Sequence, residues 1–184
     1  MTATTLDAKT ALVVVDLQKG IVSRPTAHPT AGVVANAVTL ADAFRAKGLP
    51  VVLVRVTGGS PGRIEGGARS AAQPPADWAD IVPELGPHEG DIVVTKQNWG
   101  AFHGTDLDLQ LRRRGVTQVV LTGVATSIGV ESTARFAHEH GYHVTVATDA
   151  VTDLDADTHR NSVEKVFPRL GETDTTEAIV KLLG

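Results

Sequence analysis

Cysteine is missing altogether from the 184 residues. That excludes disulfides, thiolate metal sites, iron–sulfur clusters and any cysteine nucleophile. A long apolar run is missing too. None approaches the roughly 20 residues that a membrane-spanning helix needs, and the stretch from Met1 to Lys9 is polar, so a cytoplasmic protein with no membrane partner is expected. Positive charge is not in excess. The 17 Lys and Arg stand against 21 Asp and Glu, a formal net charge of −4, which offers nucleic acid no basic field. No internal repeat and no low-complexity tract interrupts the chain.

What is present reads as one globular domain over residues 1–184. Hydrophobic residues make up 42% and charged residues 21%, close to the globular average, and the length suffices to bury most apolar surface. Five short apolar, β-branched runs stand out: residues 11–15, 50–56, 91–95, 118–122 and 143–148. Lacking clean alternation, they read as strands buried on both faces of a parallel sheet. Helical spacing fills residues 30–47, 106–114, 127–140, 157–168 and 175–183. Strands alternating with helices predict right-handed βαβ units and a three-layer α/β/α fold. Lys47-Gly48, Arg114-Gly115 and His140-Gly141 each place a cation in a last turn and a glycine at the stop. The Gly- and Pro-rich stretch 57–87 reads as a lid or an oligomer contact, with surface padding as the alternative.

In an open parallel sheet, ligands bind beyond the carboxyl ends of the strands. Those ends carry Asp16-Leu17-Gln18, Lys96-Gln97-Asn98-Trp99, Gly123-Val124-Ala125-Thr126 and Asp149. An acid and an amine from different strands can meet there. Taken alone, Asp16 is as readily a helix cap, and Lys96 a solvated lysine.

Three blocks in register carry a resemblance. Val13-Val14-Val15-Asp16-Leu17-Gln18 comes first, then Lys96 followed by Gly100-Ala101-Phe102-His103-Gly104-Thr105. The third is Thr122-Gly123-Val124-Ala125-Thr126, running into Ser132-Thr133-Ala134-Arg135 and Gly141-Tyr142. In order and spacing, over roughly residues 10–183, these resemble the isochorismatase-like cysteine hydrolase superfamily. The resemblance implies a Rossmann-like, six-stranded, mostly parallel sheet and a site built from Asp16, Lys96 and a cysteine. It also implies a cis peptide between Val124 and Ala125 and a homo-oligomer, with no cofactor.

The cysteine position falls on Gly129, so covalent thiol catalysis is excluded. The isochorismatase branch of the superfamily, which cleaves a vinyl ether, also carries glycine there, and that chemistry needs a positioned acid rather than a nucleophile. Asp16 is the candidate acid, with Lys96 orienting it and binding an anionic small molecule. A nearby lysine lowers a carboxyl pKa, so burial or the substrate must outweigh it. Gly129, early in a helix, offers close approach to unpaired backbone amides. The substrate-binding residues expected around it are Gln18, Trp99, Phe102, Ala125, Thr126 and Ser127, the last two also as caps of the helix beginning there.

Departures narrow the substrate. Ala125 stands where isochorismatases tend to have an aromatic residue. The stretch Arg55-Val56-Thr57-Gly58-Gly59 lacks the Asp-x-His pair with which nicotinamidase-type members bind a metal, so no metal is expected. His138, His140 and His143 read as a solvated cluster, Ser132 as a packing residue, and Arg63 and Arg69 as candidates to meet a carboxylate. The competing reading is a catalytically silent binding or oligomer-forming homologue.

Overall fold

Every residue of the first strand, β1 (Thr10–Val15), is buried, and its side chains feed two separate cores. Ala11, Val13 and Val15 enter one, Leu12 and Val14 the other. This is why the run shows no alternation: successive side chains point to opposite faces, and both faces are covered. The computed structural model describes residues 2–60, 62–65 and 73–184. In chain order, α1 (Lys19–Val22), α2 (Thr30–Ala46), β2 (Val51–Val56), β3 (Ile92–Lys96), α3 (Leu107–Arg113) and β4 (Gln118–Val124) follow β1. After a π-helical turn at Thr126–Val130 come α4 (Glu131–Glu139), β5 (His143–Thr152), α5 (Ala156–Asn161), a second π-helical turn at Ser162–Val166, α6 (Phe167–Leu170), β6 (Glu172–Asp174) and α7 (Thr176–Leu182).

The six strands run parallel in the order β3-β2-β1-β4-β5-β6. Residues of α2 and α7 pack on one face, and those of α3, α4 and α6 on the other, giving the expected three layers. Strand order reverses between β1 and β4, and the crevice beyond their carboxyl ends is where such sheets bind ligands. Gly123, at the end of β4, brings the two strands close: a Cβ there would lie 1.9 Å from the Val15 carbonyl oxygen, and φ is 127°. The three expected glycine stops hold, with positive φ at Gly48, Gly115 and Gly141.

Four differences from the sequence reading have local causes. First, β5 runs on to Thr152 instead of stopping at Thr148, because its register with β4 shifts between Leu121 and Gly123. Asp149 therefore ends no strand. It is exposed, and its carboxylate accepts from Thr176 N and Oγ1 at 2.7 and 2.8 Å, capping α7. Second, the helix over 157–168 is three pieces, and Pro168 lies in the first turn of α6, where its missing N–H costs nothing. Third, β6 has three half-buried residues, Glu, Thr and Asp, which no apolar-run criterion detects. Fourth, α1 begins three residues after Asp16 and is too short to show a period.

Candidate active site

Asp16 is the first residue past β1 and, among the described residues, the only non-glycine residue with positive φ, at 55°. That sparsely populated conformation is held by neighbours: Asp16 N donates to Val54 O, and Gln18 N to Asp16 O, both at 2.9 Å. Lys96 closes β3, two strands away, and the β2–β3 register sets it opposite Val56. Its ammonium donates to Asp16 Oδ2 at 2.7 Å and to Asn98 O at 3.1 Å. Both side chains are buried, 2% of Lys96 and 8% of Asp16 remaining accessible.

The other carboxyl oxygen, Asp16 Oδ1, is buried and has no hydrogen-bond partner. Burial pushes the Asp16 pKa up to about 6, outweighing the charge and hydrogen bond of Lys96, which pull it down. The two opposed effects foreseen from sequence are thus resolved in favour of burial. A carboxyl whose pKa is raised to about 6, with one oxygen unpartnered, is a candidate acid on the acidic side of neutrality.

Gly129 meets this pair as expected. A Cβ at Gly129 would lie 3.1 Å from Asp16 Oδ2 and from Val15 Cγ1, and 3.5 Å from Trp99 O. The Val124–Ala125 peptide is cis. Asp16, Lys96, Trp99, Ala125 and Gly129 border a cavity of about 580 Å³, together with Ile21, Arg24, Val56, Trp78, Asn98, Ile128 and Leu154. Its size suits a small organic molecule.

Four expected substrate-binding residues lie elsewhere. Gln18 is fully buried, and its amide is consumed internally: Nε2 donates to Val56 O and Trp78 O, while Oε1 accepts from Val56 N. Phe102 belongs to the core, with its ring stacked on His140 and packed near Tyr142. Thr126 is fully buried, and its hydroxyl meets His159 Nδ1 at 2.9 Å. Ser127 gives its backbone N–H to Asp153 Oδ2 at 2.6 Å. Neither Thr126 nor Ser127 caps the turn with its side chain, since Asp153 fills that role.

The expectation of several open amides near Gly129 also needs correction. Ser127 N is taken by Asp153, and the Ala125 carbonyl accepts from both Ile128 N and Val130 N, at 3.1 and 3.2 Å. Ser132 packs against Gly100, away from Asp16. Arg63 is exposed and does not border the cavity, and Arg69 lies outside the described residues. His138 meets Leu170 O, His140 stacks on Phe102, and His143 is exposed. Among the described residues no three potential metal ligands converge, and no helix is long and apolar enough to cross a membrane.

Residues that sequence reasoning missed are Arg24, Trp78, Leu154 and Asp153. From the stretch 57–87, Gly58, Gly59 and Trp78 border the cavity and Ile81 forms an antiparallel bridge with Gln18, while residues 61 and 66–72, on which the lid or oligomer-contact reading also falls, lie outside the described residues. Asp153 was hidden by the register shift that prolongs β5. The legible signal for it was the apolar pair Ala150-Val151 just before it. A second depression, about 490 Å³, lies at the amino ends of the strands near Lys9, Pro50 and Arg114. Its Arg45 is paired with Asp91, and it holds no buried polar atom without a partner among the described residues.

Comparison with known proteins gives a consistent picture. The model of the isochorismatase domain matches residues 10–178. An isochorismatase family protein of Bacillus subtilis, YwoC, is 45% identical over 179 residues, covering 94% of this chain and 93% of its own. The ureidoacrylate amidohydrolase RutB of Methylobacterium radiotolerans is 31% identical, covering 96% and 80%. Among solved structures, an isochorismatase family protein from Burkholderia thailandensis superposes with a TM-score of 0.93 at 43% identity, covering 97% of each chain.

Proposed function

Since this chain belongs to the isochorismatase family, we propose that it hydrolyses a small anionic molecule by acid catalysis at Asp16, without a covalent intermediate, cleaving a vinyl ether. The observation that carries this reading is the state of Asp16. Lys96 holds Oδ2, which leaves the buried and unpartnered Oδ1 as the oxygen to carry the proton, and burial raises the Asp16 pKa to about 6.

The step follows from that placement. Asp16 Oδ1–H delivers its proton to the terminal carbon of the vinyl ether double bond, and the ether oxygen stabilises the resulting oxocarbenium ion. The carboxylate left behind is neutralised by Lys96 at 2.7 Å. Water adds to the cation, and its proton returns to Asp16. The hemiketal then collapses to a carbonyl compound and an alcohol. No side-chain nucleophile is required, which agrees with Gly129 and with a chain devoid of cysteine. Trp99 and Ala125 border the space that the substrate enters.

The name of the RutB relative favours amide hydrolysis as a second reading, in which Asp16 as carboxylate directs water onto an amide carbonyl. A panel of isochorismate, ureidoacrylate and simple amides, run on wild type and Asp16→Asn, separates the possibilities. Turnover of the vinyl ether that is lost in Asp16→Asn supports the proposal. Amide turnover without ether turnover replaces it with the second reading. Identical behaviour of both proteins on every substrate marks the site as catalytically silent.

A further inference from the structure

The π-helical turn Thr126–Val130, which carries Gly129, is fastened from outside by α5 and the second π-helical turn, none of whose residues borders the cavity. Thr126 opens the turn. Among the described residues it alone of the five has a side chain that makes a hydrogen bond, and the partner is His159 on α5, with Nδ1 2.9 Å from Thr126 Oγ1. Just past the other end, Glu131 Oε2 accepts from Ser162 Oγ at 2.6 Å, where the second π-helical turn begins. The turn is gripped on both sides of Gly129.

The burial of Thr126 fixes the direction of its bond. Thr126 is fully buried, and its hydroxyl has no other hydrogen-bond partner among the described residues. A buried O–H needs an acceptor, so Nδ1 accepts and the ring proton sits on Nε2. Protonating the imidazole would make Nδ1 a donor and take that acceptor away. The surroundings keep the ring neutral: burial and the neighbouring His28 hold the His159 pKa below its ordinary value, against the carboxylate of Asp153, which raises it. His28 lies against the ring with centroids 4.7 Å apart, and its own N–H donates to Thr152 Oγ1 at 3.1 Å, which ties it to β5.

A displacement of this turn reaches the acid. A Cβ at Gly129 would stand 3.1 Å from Asp16 Oδ2, so the backbone there lies against the carboxyl. The geometry points to His159 as a positioning residue: by accepting the Thr126 hydroxyl on Nδ1, its neutral imidazole sets the height of the Gly129 turn over Asp16. The imidazole touches no substrate and moves no proton in the reaction. Its hold on the turn stands by itself, whereas its effect on turnover rests on the acid-catalysis reading above.

Long-range proton–nitrogen NMR spectra of wild type at about pH 7.5 read the tautomer directly, and Nδ1 of His159 is expected to carry no proton. His159→Phe keeps a flat ring but offers no acceptor. It is expected to displace the Gly129 amide resonance and to lower kcat about tenfold or more, with KM changed less than about threefold. His159→Asn, whose Oδ1 can take the place of Nδ1, is expected to restore kcat to within about threefold of wild type. Thr126→Val is expected to reproduce His159→Phe, with no further loss in the double variant, and serves in its place should His159→Phe fail to fold. A proton on Nδ1 in wild type, an unmoved Gly129 amide in His159→Phe, or equal loss of kcat in His159→Phe and His159→Asn overturns the inference. The acid reading fails separately: if Asp16→Asn matches wild type on every substrate, that reading falls, and the tautomer and the Gly129 amide alone decide the role of His159.

Discussion

Lys96 holds Asp16 by one oxygen only, Oδ2 at 2.7 Å, and leaves Oδ1 bare. Divided in this way, the carboxyl is anchored through one oxygen while the other is left without a partner. A bidentate partner such as arginine would occupy both oxygens and remove the acid.

The first prediction concerns pH. Because Asp16 titrates at about 6, kcat/KM is expected to fall about tenfold per unit above that value. Lys96 lowers the Asp16 pKa, so Lys96→Met should move this limb to higher pH while reducing the maximal rate. A profile flat from pH 5 to 8 in wild type contradicts the assignment of the acid.

The same titration has a stability consequence with a definite sign. Burial raises the folded pKa from its ordinary 3.8 to about 6, so the group's contribution is full below pH 4 and lost as pH rises through 6. Wild type should lose stability relative to Asp16→Asn between pH 5 and pH 7.5, by up to about 1.5 kcal/mol. Urea midpoints of the two proteins at both pH values measure it.

Restoring a thiol should create reactivity without an amidase. Gly129→Cys places its Cβ 3.1 Å from Asp16 Oδ2, so Asp16 can take the thiol proton as base. Rapid labelling by iodoacetamide near neutral pH is expected. Efficient amide turnover is not, since the amides of Ser127, Ile128 and Val130 are already bonded and provide no complete oxyanion site.

Asp153 supports the turn that carries Gly129, accepting from Ser127 N and Leu154 N at 2.6 and 2.7 Å. Asp153→Ala should cost about 1–3 kcal/mol by leaving a partly buried amide unpaired. It should also lower kcat more than it raises KM, because the turn bordering the acid shifts. Gly123→Ala is expected to be worse for stability, since its Cβ would collide with the Val15 carbonyl in a backbone conformation that alanine resists. Chemical denaturation of both variants ranks them.

Much of the fold was legible because strands buried on both faces advertise themselves. Val13-Val14-Val15 and Val51-Val52-Leu53-Val54 have no other reading in a chain with alternating helical segments. The edge strand β6 offered no such sign, since Glu172, Thr173 and Asp174 hydrogen-bond along one side and face solvent. At the site, Asp16, Lys96 and Gly129 were found from strand ends and from the resemblance. Gln18, Phe102, Thr126 and Ser127 were near in sequence but turned into the interior, because a residue's direction depends on backbone twist at the strand end. Arg24 and Trp78 were missed for the opposite reason. Each reaches the cavity from a segment with no period, and only the fit of an indole over Gly20 reveals that one of them is fixed in place.

The position of β1 has a consequence for how the protein is made. It lies inside the sheet, yet it precedes the other five strands in the chain, and its partner β4, with Thr10 opposite Gln118, follows more than a hundred residues later. Until then one side of a mostly apolar strand has no neighbour, and pairing over such a distance is slow. The nascent chain therefore carries a sticky edge through most of translation. Asp16, Lys96 and Gly129 come from three segments spread along that same span, so recovered catalysis during refolding reports completion of the central sheet rather than any local step.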